Sequence, residues 1–242
     1  MAHGQPDFGQ FTGKTTTYAL SDMAELAARL GSIDTFDRRG DVVWLDNFED
    51  NIDKWEILLG GVGAAAVLST EAARNGARSA KLTTGNLANN YALIRKHLPS
   101  PVPSKVGFEV SFTVDDDLNG LYFALQLLDG VNRHVAMINY HPDTDRLYYY
   151  DNAGVEQLIA AGLNLQAAIY HFHTLKLVAD MVNYRYVRLI LNEVTYDLSN
   201  FTMQAIPDAT LPTLWAYVAA FTGVAANLSI YVDDAIITQN EP

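Results

Sequence analysis

From Val42 to its end the chain alternates with a period of two. That rhythm constrains it more than any single motif, because only a β-strand sends successive side chains to opposite faces. Phe108, Val110, Phe112 and Val114 alternate with Glu109, Ser111 and Thr113, the pattern of a half-buried antiparallel strand. Leu121 to Leu128 is almost continuously apolar, as a central buried strand would be. VAMINYH, RLYYYD, HTLKLVAD, YRYVRLILN, VTYDLS, LWAYVAAF and LSIYVDDAIIT follow, with DG, HPDTD, DNAG, MVN and NE between them as turn signals. Roughly a dozen strands result, which predicts an all-β fold, a jelly-roll β-sandwich over residues 42–242. AGVEQLIAAGLNLQAAI admits a short helical turn that its glycines weaken.

The first 41 residues follow another logic. Residues 1–19 are rich in Gly, Gln and Thr with no apolar period, and read as an N-terminal arm ordered by a partner. In LSDMAELAARLGS, Asp22 and Glu25 form a capping-box-like start, and Met23, Leu26, Ala27 and Leu30 make one apolar stripe ended by Gly31. This is one short amphipathic helix, an assembly contact against its own domain or a neighbouring subunit. Residues 1–41 are therefore expected to be an arm and contact segment separate from the sandwich.

The net charge of −12 argues against a phosphate backbone as partner, so no nucleic acid is expected. No cysteine is present, which excludes disulfides and thiolate metal sites. MAHGQPDFGQF has neither the basic nor the apolar region of a signal peptide, and no stretch suits a bilayer. Synthesis in a cytoplasm, with no membrane partner, is the expectation.

Catalytic signatures are scarce. FGQFTGKTTT is one residue short of a P-loop and follows no strand. Glu109, Asp115, Asp180 and Asp197 offer carboxylates for glycoside chemistry, but no strand carries a paired-acid signature, and the chain reads as a non-enzyme. His171 and His173 share a strand face without a third zinc ligand, and read as exposed residues at a strand start. The aromatics are more suggestive. Tyr148 and Tyr150 share one face, and Tyr184, Tyr186 and Arg188 share another, with Val187, Leu189 and Leu191 opposite. Such rows suit a glycan platform or a protein contact, or else cross-strand pairs within the sheet.

Three segments, LDNFEDNIDKWE, STEAARNGARSAKLTTG and YVDDAIIT, are similar in order and spacing to pieces of the carbohydrate-binding-module and laminin-G or concanavalin-like jelly rolls. HFHTLKLVADMVNYRYVRLILNEVTYDLS resembles the lectin-like run between them. The resemblance covers most of residues 42–239. It implies neighbouring first and last strands, with a structural Ca²⁺ held by Asp46, Glu49, Asp50, Asp233 and Asp234 and by carbonyls near Asn75 to Ala77. The alternative is that Asp234 accepts loop hydrogen bonds or pairs with Arg74 or Arg78. GQPDFGQFTGKTTTYALSDMAELAARLGS and VDDAIITQNEP also resemble the ends of uncharacterised proteins in phage-like sequences. That resemblance implies a virion structural protein, of the capsid decoration, cement or tail kind. Its arm would grip neighbours, with self-association as a homotrimer and surface glycans as further partners. The competing expectations are a free carbohydrate-binding, lectin-like module and a cytoplasmic oligomeric scaffold.

Overall fold

The computed structural model describes residues 39–99 and 102–242. The arm and the helix of Met23, Leu26, Ala27 and Leu30 lie outside the described residues. Among the described residues are sixteen strands: β1 (Asp41–Asp46), β2 (Glu56–Gly60), β3 (Ala65–Ser69), β4 (Ser79–Thr83), β5 (Tyr91–Pro99), β6 (Lys105–Phe112), β7 (Leu118–Leu128), β8 (Asn132–His141), β9 (Arg146–Tyr150), β10 (Glu156–Ala161), β11 (His173–Asp180), β12 (Arg185–Leu191), β13 (Val194–Asp197), β14 (Gln204–Pro207), β15 (Thr213–Thr222) and β16 (Ser229–Gln239).

They form two antiparallel sheets. The first runs β13-β12-β11-β6-β16-β4-β3, with β1 also paired to β16; the second runs β10-β9-β8-β7-β15-β5-β2, with β14 paired to β8. The all-β sandwich expected from the alternation is the observed fold. The first and last strands are neighbours, with Asp41 opposite Gln239 and Asp46 opposite Ala235. Glu156–Ala161, where a helical turn was an option, pairs with β9 instead. Phe108, Val110 and Phe112 of the first sheet face Phe123, Ile138 and Val218 of the second, all fully buried. The Phe112 and Phe123 rings lie 4.7 Å apart.

Aspartates punctuate the chain for one recurring reason. An Asp side chain beginning a turn accepts backbone N–H groups two to four residues on. Asp129 takes those of Val131 and Asn132, Asp151 those of Ala153 and Val155, and Asp180 those of Val182 and Asn183. Asp197 and Asp208 do the same for Ser199 and Thr210. The donated hydrogens from Asn132 and Val131 hold the Asp129 carboxyl down at about 2. A depressed carboxyl stabilises the fold above its unfolded value and loses that contribution as pH falls through the folded one. Asp129→Asn keeps an acceptor oxygen but not the charge. The melting-temperature gap between wild type and Asp129→Asn should therefore narrow from pH 4 to pH 2; a constant gap would contradict the turn-capping role.

Of the five places among the described residues where the register slips, two fall on residues singled out from sequence. In β12, Arg188 faces Val178 and Tyr186 faces the next residue, Ala179, so one residue is inserted beside Val187. In β16, Asp233 faces Ser111 and Ile236 faces Glu109, so three steps on β16 match two on β6. Asp234 has φ 49° there, a left-handed conformation that Asp tolerates far better than a β-branched residue. The adjacent carboxylates of YVDDAIIT thus mark a bulge rather than a regular strand.

The end of β16 carries a buried ion cluster. Glu241 Oε1 lies 2.8 Å from Lys176 Nζ, and Glu241 Oε2 accepts from the Arg188 guanidinium. Thr238 Oγ1 donates to Glu241 Oε1, Lys176 Nζ to the Arg39 carbonyl and Arg188 Nη1 to the Pro242 carbonyl. The Glu241 side chain is wholly buried, and those of Lys176 and Arg188 are 2% and 10% exposed.

Candidate functional site

The outer face of the second sheet is where chemistry-bearing side chains gather. Ile94 (β5), Phe123 (β7), Ile138 (β8) and Val218 (β15) point into the core, so their alternation partners face outward. The registers place Tyr91 beside Phe221, Arg95 beside Tyr217 and His97 beside Trp215. They place Tyr122 beside Asn139 and Gln126 beside Val135. Asn139 faces Tyr148, and Tyr150 faces Glu156.

These residues form a continuous aromatic chain. Tyr91 stacks on Phe221 with centroids 5.1 Å apart, Phe221 meets Tyr122 edge-on at 4.8 Å, and Tyr122 lies 6.3 Å from Tyr150. Tyr91, Tyr122, Tyr150 and Phe221 are all half-buried, each keeping part of its ring in solvent. At the other end, the Arg95 guanidinium lies 4.1 Å from the Trp215 ring centroid and His97 lies 5.0 Å from it. Arg95 and His97 both reach Glu56, at 2.7 and 2.6 Å. Burial raises the Glu56 carboxyl, but the donations from His97 and Arg95 outweigh it and leave it lowered.

Glu156 organises the aromatic end. Its Oε1 accepts from Tyr150 Oη at 2.8 Å and Asn139 Nδ2 at 2.6 Å, with His141 Nε2 at 3.3 Å. Burial raises this carboxyl too, yet the three donors leave it lowered and ionised. Burial drives the Tyr150 phenol far up, and its bond to Glu156 adds to that. Burial pushes Tyr217 up to about 12, and its hydroxyl points at Met137 Sδ, 3.0 Å away.

Among the described residues, four buried polar atoms on this face have no hydrogen-bond partner: Gln126 Oε1, Arg133 Nε, Asn139 Oδ1 and Trp215 Nε1. Native proteins satisfy most such groups, so a concentration of orphans on one face marks a place where something else supplies the partners. Gly120 makes room beneath them: a Cβ there would sit 2.6 Å from the Tyr122 ring and 3.1 Å from Asn139 Oδ1.

The other residues singled out from sequence lie apart. Tyr148 and Tyr150 share the outer face, as their spacing implied, with Tyr148 edge-on to His141 at 5.0 Å. Tyr184, Tyr186 and Arg188 do not form a row, because the β12 bulge rotates them apart. Tyr184 sits in the preceding turn with φ 52° and stacks on His134 at 3.6 Å. Tyr186 is in the core, its hydroxyl 2.9 Å from Met137 N and 2.8 Å from Tyr150 O, where it ties the first sheet to the strands beneath the aromatic chain. Arg188 belongs to the Glu241 cluster. Glu109 is buried opposite Lys176, and Asp180 and Asp197 cap turns. His171 is exposed as expected, but His173 is buried, because its ring turns inward with Nε2 3.1 Å from the Gln166 carbonyl.

The five carboxylates proposed for Ca²⁺ split into separate groups. Asp46 accepts from Trp55 Nε1 at 2.9 Å and from Lys54 at 3.2 Å, and Asp50 pairs with the same Lys54. Glu49 accepts the N–H groups of Ala77 and Arg78. Asp233 accepts those of Arg74, Asn75 and Asp234, while Asp234 Oδ2 takes Arg74 Nη1 and Asn75 Nδ2. Asp234 Oδ1 is buried without a partner. Burial and the Asp234 charge push Asp233 up to about 7; Asp234 is raised by burial against the pull of Arg74 and Asn75, with Glu49 adding its own repulsion. Among the described residues, no three acidic or imidazole side chains are already spaced to hold an ion.

Comparison with known proteins places the fold. No protein-family model matches the chain, and no curated protein matches its sequence. Solved structures do match in shape. A conserved carbohydrate esterase from the Shiga toxin-encoding bacteriophage phi24B aligns over 84% of this chain and 100% of its own, with TM-score 0.54 and 12% identity. An endo-β-1,4-glucuronan lyase from the fungus Trichoderma reesei aligns over 82% and 95%, with TM-score 0.55 and 10% identity. A Bacillus subtilis protein of unknown function with a galectin-like fold aligns over 84% and 97%, with TM-score 0.54 and 9% identity. The chain has a jelly-roll β-sandwich fold like that of these structures. No helix among the described residues is long and apolar enough to cross a membrane.

Proposed function

We propose that the protein is a non-catalytic carbohydrate-binding component of a phage-like particle, with the outer face of the second sheet as its glycan platform. The observation that carries the binding role is the coincidence on one face of a part-exposed aromatic chain and four orphaned buried polar atoms. A sugar ring supplies an apolar face for Tyr122 and Phe221 and hydroxyls for the orphans, the two things such a site needs. The non-enzymatic reading draws support from the carboxylates: Glu156 is tied into a hydrogen-bond network, and Asp180 and Asp197 cap turns. The particle setting draws on the phage esterase of like fold, and the anchoring role of residues 1–41 on their apolar stripe. Affinity electrophoresis against soluble polysaccharides tests the first part, where retardation is expected and its absence across a broad panel would refute it. Density-gradient fractionation tests the second. Salt-resistant co-sedimentation with nucleic-acid-containing particles is expected, and recovery only as free protein would leave the alternative, a free lectin-like module.

Of the expected Ca²⁺ ligands, Glu49, Asp233 and Asp234 are the set we retain, because Asp234 keeps a buried acceptor oxygen and the repulsions of Asp234 with Asp233 and with Glu49 favour a cation. At a hundredfold excess over its dissociation constant, an ion that binds only the folded chain adds about 2.7 kcal/mol. Millimolar Ca²⁺ after chelation should therefore raise the melting temperature by roughly 5–10 °C, and Asp234→Asn should abolish the rise. An unchanged melting temperature in wild type would leave Arg74 as the counter-charge and remove the ion.

A further inference from the structure

We propose that Trp215 is a second stacking subsite of this face, closed in the free protein by a side-chain lid of Arg95 and Glu56, and that a glycan opens it by replacing Arg95 on the indole with the apolar face of a sugar ring. This rests on the glycan-platform reading and adds to it a covered subsite and the device that covers it. Trp215 and Phe221 point outward from the same strand, six residues and about 20 Å apart. Trp215 therefore lies beyond the rings of Tyr91, Phe221, Tyr122 and Tyr150 and lengthens the platform. Its indole is the widest ring on the face, yet the residue is only 8% exposed.

Charged side chains, not core, do the covering. The Arg95 guanidinium lies over the indole, 4.1 Å from its centroid, with the His97 ring beside it. Arg95 Nε, Arg95 Nη2 and His97 Nε2 converge on Glu56 Oε2, at 2.7, 2.7 and 2.6 Å. Among the described residues, Glu56 is the only hydrogen-bond partner of Arg95. Glu56 stands on β2, an edge strand, and its side chain and that of His97 are 40% and 45% exposed. Beside the covered ring, Trp215 Nε1 and Gln126 Oε1 belong to residues paired across β15 and β7, both buried without a partner. A fixed wall would be expected to satisfy such groups. The lid is also weakly held. Water screens a half-exposed ion pair, so it adds little, and a cation over a ring near solvent adds a similarly small amount. A sugar ring is a matching competitor, because its C–H face packs on an indole and covers more of it than a guanidinium does.

The sign of one mutational effect tests this. Dissociation constants come from affinity electrophoresis on a β-glucan, a galactomannan, a dextran, polygalacturonate, alginate and hyaluronan. Arg95→Ala removes the lid and should bind the polymer that retards wild type about fivefold more tightly. Glu56→Gln leaves Arg95 in place but loosens its hold. It should shift affinity the same way by less, and it carries the test if Arg95→Ala melts early. Without glycan, acrylamide should quench tryptophan fluorescence more strongly in Arg95→Ala than in wild type. Phe221→Ala reports on the platform itself. Equal or weaker binding by both lid variants, or unchanged quenching, together with lost binding in Phe221→Ala, would overturn the lid and leave the platform standing. Binding unaffected by Phe221→Ala, or no retardation of wild type and Arg95→Ala by any of these polymers, would overturn both.

Discussion

Glu241→Ala is expected to cost roughly 3–5 kcal/mol of stability, the range for removing one partner from a buried ion pair. Glu241 bridges Lys176 and Arg188, and its side chain has no solvent exposure. Alanine would take a shared carboxylate from an ammonium and a guanidinium in a desolvated site, and would also deprive Thr238 Oγ1 of its acceptor. The loss extends to the chain ends, because Lys176 also holds the Arg39 carbonyl and Arg188 that of Pro242. Urea unfolding checks this. The midpoint should fall with an unchanged slope, and a change below about 1 kcal/mol would mean that the cluster is solvated and weak. Glu241→Gln should fall between the two, since it restores an acceptor but not the charge.

Tyr122→Ala is expected to lower glycan affinity at least tenfold while leaving the fold intact. Tyr122 is the middle ring of the chain, touching Phe221 on one side and approaching Tyr150 on the other. Its ring and Asn139 Oδ1 both lie close over Gly120, so truncation removes the packing surface at that point of the face. A buried aromatic anchor truncated at the centre of a binding surface commonly costs about 2 kcal/mol or more. Its ring is half-buried on an outer face rather than in the core, so the melting temperature should move little. Tyr170→Ala is the matching control, because Tyr170 is 74% exposed and lies outside every strand. Equal affinity for both variants would disconnect the aromatic chain from binding.

The alternation from Val42 onward was enough to read the sandwich, because each of its long strands has one face in the core and a period of two survives in the residue types. Tyr148 and Tyr150 were legible for the same reason. Tyr184, Tyr186 and Arg188 were not, because a single inserted residue in β12 turns Tyr186 inward, and nothing in YRYVRL marks a bulge. YVDDAIIT did carry such a mark: two carboxylates in an apolar strand are the signature of a position that needs a positive φ. The core of the candidate site was missed because it is assembled across strands. Tyr91, Tyr122, Asn139, Glu156, Trp215 and Phe221 come from β5, β7, β8, β10 and β15, and each alone reads as an ordinary strand residue. The available signal was polar or aromatic residues opposite the apolar phase of central strands, as in Gln126 within Leu121 to Leu128 and Asn139 within VAMINYH.

The account's central claim, that the outer face of the second sheet binds glycan, is tested most directly by following the three tryptophan indole N–H resonances during titration with an oligosaccharide from a retarding polymer. Trp215 lies on that face with its Nε1 unpartnered, whereas Trp55 Nε1 is bonded to Asp46 near the chain ends. The account predicts that the Trp215 indole moves, together with backbone amides of β7, β8 and β15, while the Trp55 indole stays in place. Movement of Trp55 with Trp215 unperturbed would contradict it and put the glycan elsewhere on the molecule.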